Sequence, residues 1–245
     1  MRPLRTRFAR DIVAEFMVPA RPSKKVIILC DGMPTVPSKR ALMAFFAAKG
    51  YWVFHPRYRG SWESGGSFLK KSPHLDILDV INALPRGFTD IMTKKRYRIK
   101  PEALYLLGGS FGGPAIILAS RDKRVTKGVT FCPVVDWKKI VRINSALRKV
   151  REGFGPAYRF TMKDWNKLES GKFYSPAHET KTVDGSKLLI IQARDDKSVA
   201  WRPVAQFAKA VGAQLWLMKT GGHLSTSLTM KPKFYRRINK FLKSK

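Results

Sequence analysis

What this sequence has little of narrows its biology first. Only Cys30 and Cys132 occur in 245 residues, each inside an apolar run, so the disulfide framework that staples small secreted domains is not supported. Apolar runs are short: Val26 to Cys30 and Leu188 to Ile191 are typical, against the roughly 18 consecutive apolar residues a membrane helix requires. Acidic residues are scarce too, 17 Asp and Glu against 48 Lys and Arg, for a formal charge of +31. Such a balance fits non-specific contact with nucleic acid or an anionic membrane. The cations nevertheless run from Arg2 to Lys245 without gathering on one segment among stacking aromatics, which favours a diffusely basic surface over a dedicated nucleic-acid module. Arg2, Arg5 and Arg7 mimic the start of a signal peptide, but Asp11 and Glu15 follow where its apolar core belongs. The resulting expectation is a cytoplasmic protein without a transmembrane segment.

What is present alternates. Apolar or β-branched runs occur at Ile12 to Val18, Val26 to Cys30, Tyr51 to Phe54, Ala103 to Leu107, Gly128 to Phe131, Leu188 to Gln192 and Gln214 to Met218. Helical patterns lie between most of them, at Lys39 to Ala48, Leu75 to Leu84 and Val204 to Val211, with a last one at Lys231 to Leu242. Apolar strands separated by helices imply an α/β fold, a mostly parallel, doubly wound sheet with helices on both faces. The short link Pro19 to Lys25 predicts that the first two of these strands pair antiparallel at one edge. No internal repeat is present, so residues 1–245 read as one domain. Within it, residues 137–185 are too long for a simple crossover and read as an inserted cap.

Chemistry concentrates at the ends of strands. GGSFGG, Gly108 to Gly113, follows the strand EALYLL and precedes the helical run PAIILAS, which sets Ser110 at a strand-to-helix turn matching GxSxG. A nucleophilic serine needs a base, and only His55, His74, His178 and His223 are available. His223 lies in TGGHLST, directly after the last strand; the other three neighbour proline in wall-forming or connecting segments. An acid must hold that base, and LLIIQARDDKSVA offers Asp195 and Asp196 beyond another strand.

The order serine, acid, histidine is that of the α/β-hydrolases, and the chain most resembles the catalytic domain of prolyl oligopeptidase-type serine peptidases and their small carboxylesterase relatives. RYRGS, Arg57 to Ser61, resembles the YRGS loop of that group, GGSFGG its GxSxGG elbow, and CPVVDW, Cys132 to Trp137, its PVxDW segment. The group's GxxDxxV pattern falls on Ala193, Asp196 and Val199, so the resemblance selects Asp196 as the acid. It also implies an oxyanion hole from the backbone N–H groups of Phe111, after the serine, and of Met33, in the loop LCDGMP that is similar to HG-x-P. Asp31 stands where that pattern has a histidine, and Gln192 and Ala193 replace a His-Gly before the acid.

The function implied is ester hydrolysis through Ser110, His223 and Asp196 and an acyl-enzyme, with no metal or organic cofactor. The substrate would be a small ester or short peptide, with Tyr158, Phe160 and Trp165 of the cap as its lining. DGMPTVPS contains no tyrosine to supplement the oxyanion hole and no acidic pair stands out to grip a free amino terminus, so a peptidase or acyl-amino-acid hydrolase is the second branch. A third, of another class, is a non-catalytic scaffold that binds anionic partners through its basic surface.

Overall fold

The computed structural model describes residues 2–140 and 143–244. From the amino terminus, β1 (Leu4–Phe8) and β2 (Ile12–Met17) form a hairpin, and β3 (Lys25–Cys30), α1 (Arg40–Ala48) and β4 (Trp52–Pro56) form a parallel crossover. Helix α2 (His74–Ala83) and a small hairpin of β5 (Phe88–Thr89) and β6 (Arg96–Tyr97) precede β7 (Ala103–Gly109), α3 (Gly112–Ala119) and β8 (Lys127–Phe131). After β8 come α4 (Ile143–Phe154) and the short α5 (Met162–Asn166), then β9 (Leu188–Ala193), α6 (Trp201–Val211), β10 (Gln214–Met218) and α7 (Pro232–Lys243).

Eight of these strands form one sheet in the order β1-β2-β4-β3-β7-β8-β9-β10. Every pairing from β4 to β10 is parallel, and β2 is antiparallel to both of its neighbours. The expected edge pair of Ile12–Val18 with Val26–Cys30 is therefore corrected: β2 joins β1 and β4, and β3 lies one place further in, between β4 and β7. Burial explains the choice, because Val26 to Cys30 are all buried and such a strand needs a neighbour on each side. Strand β1 escaped the sequence pattern because exposed Arg5 and Arg7 alternate with buried Thr6 and Phe8. Its turn gives no sign either, since Ala9 and Arg10 take φ of 45° and 67° without the glycine or asparagine that usually marks such a turn.

The helices divide between two cores. Ile77 and Ile81 of α2, Ile116 of α3, and Val204 and Phe207 of α6 pack with Val26, Ile28 and Leu106 on one face of the sheet. Met43 and Phe46 of α1, with Phe234, Ile238 and Phe241 of α7, pack with Ile27, Leu29 and Ile191 on the other. Each such fully buried side chain contributes roughly 1.5–3 kcal/mol of transfer free energy. Alternate residues of the central strands thus face opposite cores, which holds their carboxyl ends rigidly in register. The β5–β6 hairpin adds Phe88 and Tyr97 to a cluster with Phe16 and Trp52 near the antiparallel side.

Between β8 and β9, residues 157–159 are tied to the loop after β4. Trp62 N–H donates to Ala157 O, Arg159 N–H to Gly60 O and Phe68 N–H to Arg159 O, each at 2.7 Å. Trp165 of α5 packs on Phe160 and is wholly enclosed.

Candidate active site

Four strand ends build the site. Ser110 leaves β7 with φ 53°, a left-handed conformation that is costly for a residue with a Cβ. The turn is pinned from both directions, by Ser110 N–H to Phe131 O at 2.9 Å and by Gly113 N–H to Ser110 O at 3.0 Å. The flanking glycines are required by closeness: a Cβ on Gly109 would lie 2.5 Å from Phe131 O, and one on Gly112 would lie 2.4 Å from Cys30 O. Backbones of β3 and β8 therefore close on the elbow from either side and leave the half-buried Ser110 at its crest.

Beyond β9 the two candidate acids divide the work. Asp196 is buried; its Oδ1 accepts the N–H groups of Ser198 at 2.8 Å and Val199 at 3.0 Å, and its Oδ2 lies 2.8 Å from His223 Nδ1. Burial pushes its carboxyl up, but the bonds from His223 and Val199 outweigh it, leaving Asp196 below the usual carboxylate range. An ionised acceptor fixes the His223 proton on Nδ1 and leaves Nε2 with a lone pair. Exposed Asp195 accepts Gly221 N–H at 3.1 Å and Gly222 N–H at 2.9 Å, so it pins the loop that carries His223. Gln192, one of the departures from the family pattern, donates to Val199 O at 3.0 Å and to Asp196 Oδ2 at 3.4 Å.

Asp196 and His223 are thus brought into direct contact, with the His223 side chain one-third exposed. No hydrogen bond joins the Ser110 hydroxyl to His223 among the described residues; in unliganded enzymes such contacts commonly tighten only when substrate binds. Met33 follows Gly32, where an added Cβ would lie 3.6 Å from Ser110 Cβ, so the loop after β3 passes directly beside the serine. Neither Met33 N–H nor Phe111 N–H donates to a protein acceptor among the described residues. Phe111 stands at the amino end of α3, where unpaired N–H groups favour an anion. Its side chain is locked among Tyr58, Phe68, Trp137 and Tyr174.

The expected lining residues behave differently. Trp165 is 0% exposed and Tyr158 is 6% exposed. Trp165 therefore offers no surface to a substrate, a correction that follows from its place in the interior of the segment between β8 and β9. Tyr158 instead holds the loop after β3: its hydroxyl accepts Thr35 N–H at 3.1 Å, and Trp62 Nε1 donates to Thr35 O at 3.0 Å. Phe160 is half-buried against Trp165. A cavity of about 460 Å³ is lined by Tyr58, Arg59, Phe68, Leu69, Lys70 and Asp76 among others, and includes neither Ser110 nor His223.

Cys132, at the end of β8, lies beneath the acid and base with φ 46°, and its Sγ accepts Leu224 N–H at 3.3 Å. Burial and the neighbouring Asp196 push its thiol well above the ordinary range. Ligand atoms of Cys132, Asp196 and His223 lie within 4.8 Å of one another. The donor types suit zinc, but Asp196 Oδ2 and His223 Nδ1 are already paired with each other.

The model of the prolyl oligopeptidase family matches residues 37–245. The chain belongs to the prolyl oligopeptidase family. Membership places it among the serine hydrolases. No curated protein matches the sequence significantly. Among solved structures, this family member is similar to the esterase Pf2001 of Pyrococcus furiosus, with TM-score 0.70 and 19% identity over 99% of this chain and 89% of that one. It is similar to the acylaminoacyl peptidase of Pyrococcus horikoshii with TM-score 0.62 and 18% identity, over 98% of this chain and 40% of that one. It also resembles DcsB, solved with its substrate analogue, at TM-score 0.69 and 15% identity over 98% and 97% of the two chains. At such identities the likeness establishes the architecture, an α/β-hydrolase fold. Among the described residues no helix is long and apolar enough to cross a membrane.

Proposed function

We propose that the protein hydrolyses carboxylic esters, with Ser110 as nucleophile, His223 as base and Asp196 as the acid that orients it. The observation that carries the reading is the 2.8 Å contact of His223 Nδ1 with Asp196 after β9, two strands along the sheet from β7, whose end holds Ser110 at φ 53°. His223 Nε2 takes the Ser110 proton as Oγ attacks the carbonyl carbon, and the imidazolium is stabilised by the Asp196 carboxylate. The tetrahedral oxyanion is met by Met33 and Phe111 N–H, two donors that need break no protein bond to receive it. His223 then protonates the departing alkoxide; water, deprotonated by the same nitrogen, releases the acid and restores the serine.

Two observations favour esters over amides. The chain shares most of its length with an esterase in both directions, and the loop DGMPTVPS that carries Met33 contains no tyrosine of its own. An amide leaving group departs less readily and calls for stronger oxyanion support. Likeness to an acylaminoacyl peptidase sustains amide cleavage as the second reading. We assign residues 137–185 as a cap over this site, supported by the three backbone bonds that tie 157–159 to the loop after β4.

The deciding experiment labels wild type and Ser110→Ala with an organophosphonate probe and assays p-nitrophenyl esters beside matched short peptide amides. Stoichiometric labelling at Ser110 with turnover lost in the variant is expected. Full ester turnover by Ser110→Ala would remove the assignment, and amide cleavage equal to ester cleavage would remove the preference.

A further inference from the structure

Asp31 opens the loop that presents Met33, and it is buried, 6% exposed. A buried carboxylate needs donors. Its Oδ2 lies 2.6 Å from His55 Nε2, whereas among the described residues its Oδ1 has only Lys39 Nζ, at 3.6 Å. Burial pushes the Asp31 carboxyl up, but the His55 contact and the Lys39 and Arg57 charges outweigh it, so the group lies below the usual range. His55 comes from β4 and is fully buried. Its other nitrogen, Nδ1, lies 2.9 Å from Arg57 Nη1.

The direction of these bonds is fixed by chemistry. A guanidinium can only donate, so His55 Nδ1 accepts and the single ring proton resides on Nε2, where it is given to Asp31. Glu15 Oε2, at 3.7 Å from Nδ1, is too distant to claim that nitrogen and is itself held by Arg57 Nη2 at 2.9 Å. The charged groups facing His55 are therefore Asp31 and Lys39 from the ends of the loop, Glu15 from β2 and Arg57 from the end of β4, with Arg5 and Glu63 behind them.

We propose that His55 is a positioning residue: as a neutral imidazole it relays hydrogen bonds from Arg57 to Asp31 and so sets the loop that carries the Met33 N–H. The proposal rests on the reading of Met33 as an oxyanion donor. Only Gly32 separates Asp31 from Met33, so a displaced Asp31 displaces the donor. The chain has a histidine at position 55 and an aspartate at 31, two strand ends that adjoin through the β3–β4 pairing.

The test compares His55→Leu, which removes both bonds, with His55→Gln, whose amide oxygen can accept from Arg57 while its NH₂ donates to Asp31. His55→Leu is expected to lower kcat for a p-nitrophenyl ester roughly 10²-fold with KM nearly unchanged, the loss that follows a misplaced oxyanion donor. His55→Gln should stay within about threefold of wild type, as a substitute that keeps both bonds does, with a superimposable pH profile. Independently of activity, long-range ¹H–¹⁵N spectra of the four imidazoles identify His55 by the signals lost in His55→Gln. They should show a protonated Nε2 and a bare Nδ1 at neutral pH.

Wild-type kcat in a folded His55→Leu overturns the proposal, as does His55→Gln impaired equally with His55→Leu, or a doubly protonated His55. If His55→Leu does not fold, the His55→Gln kinetics and the imidazole spectra decide. If wild type shows no turnover that Ser110→Ala abolishes, the hydrolase reading has failed. The tautomer, with amide exchange at residues 32–36 that is faster in His55→Leu than in wild type, then decides the positioning role alone.

Discussion

Replacing Asp196 by asparagine changes one oxygen to an NH₂ and tests the whole arrangement. Asparagine has one acceptor oxygen, and two backbone donors compete for it, Ser198 N–H at 2.8 Å and Val199 N–H at 3.0 Å from Oδ1. With the oxygen held there, the NH₂ takes the place of Oδ2, facing His223 Nδ1 at 2.8 Å and the Gln192 amide at 3.4 Å. Nδ1 must then accept, which moves the ring proton to Nε2, the atom proposed to take the Ser110 proton. The fold keeps its backbone bonds while the base is disabled. An equivalent tautomer reversal in a serine protease lowers kcat by about 10⁴, or about 5.5 kcal/mol of barrier. The assay is single-turnover acylation with a p-nitrophenyl ester, alongside circular dichroism and Tm to show that the variant is folded. Asp196→Asn acylating within tenfold of wild type would refute the reasoning, because it would mean that the contact does not set the tautomer.

Four further outcomes are expected. Asp195→Ala, which frees Gly221 and Gly222 N–H, should loosen the His223 loop and lower kcat/KM by roughly ten- to a hundredfold with Tm nearly unchanged; a large Tm loss with intact kcat/KM would contradict the pinning role. Gly112→Ala drives a Cβ to 2.4 Å from Cys30 O, and overpacking of this kind should cost about 1–3 kcal/mol in urea unfolding; an unchanged midpoint would contradict the close approach. Trp165→Ala should destabilise by about 3–5 kcal/mol, and a selective change in KM without loss of stability would show that the ring does meet substrate. In acid, Asp196 lies below its ordinary 3.8, and Glu15, whose carboxylate accepts Arg57 Nη2 at 2.9 Å, is held at about 2. Depressed carboxylates contribute stability above their unfolded values and lose it as pH falls through the folded ones, so denaturant midpoints should decline from about pH 4 toward 2. A midpoint that rises over that range would contradict the sign.

The parallel sheet and the loops that hold Ser110, Asp196 and His223 were legible because each follows an apolar run and precedes a helix or a glycine turn, signals confined to a dozen residues. Strand β1 was hidden by arginines that mimic the start of a charged leader, although their outward alternation is itself a strand pattern. The place of β3 depends on which strands leave both faces buried, a property of the assembled sheet. His55 looked like part of a loop wall because its partner, Asp31, is 24 residues away and meets it only through the pairing of β3 with β4. The same holds for Tyr158: nothing local in an aromatic residue tells a pocket wall from a hydroxyl that grips Thr35, 123 residues earlier.

That grip couples two parts of the molecule. Thr35 is held at both its N–H and its carbonyl, by Tyr158 and Trp62, and stands two residues beyond Met33. On the proposed reading of Met33 as a donor, a displacement of Tyr158 or Trp62 is transmitted through Thr35 to the donor loop, so the segment between β8 and β9 and the oxyanion site behave as one mechanical unit.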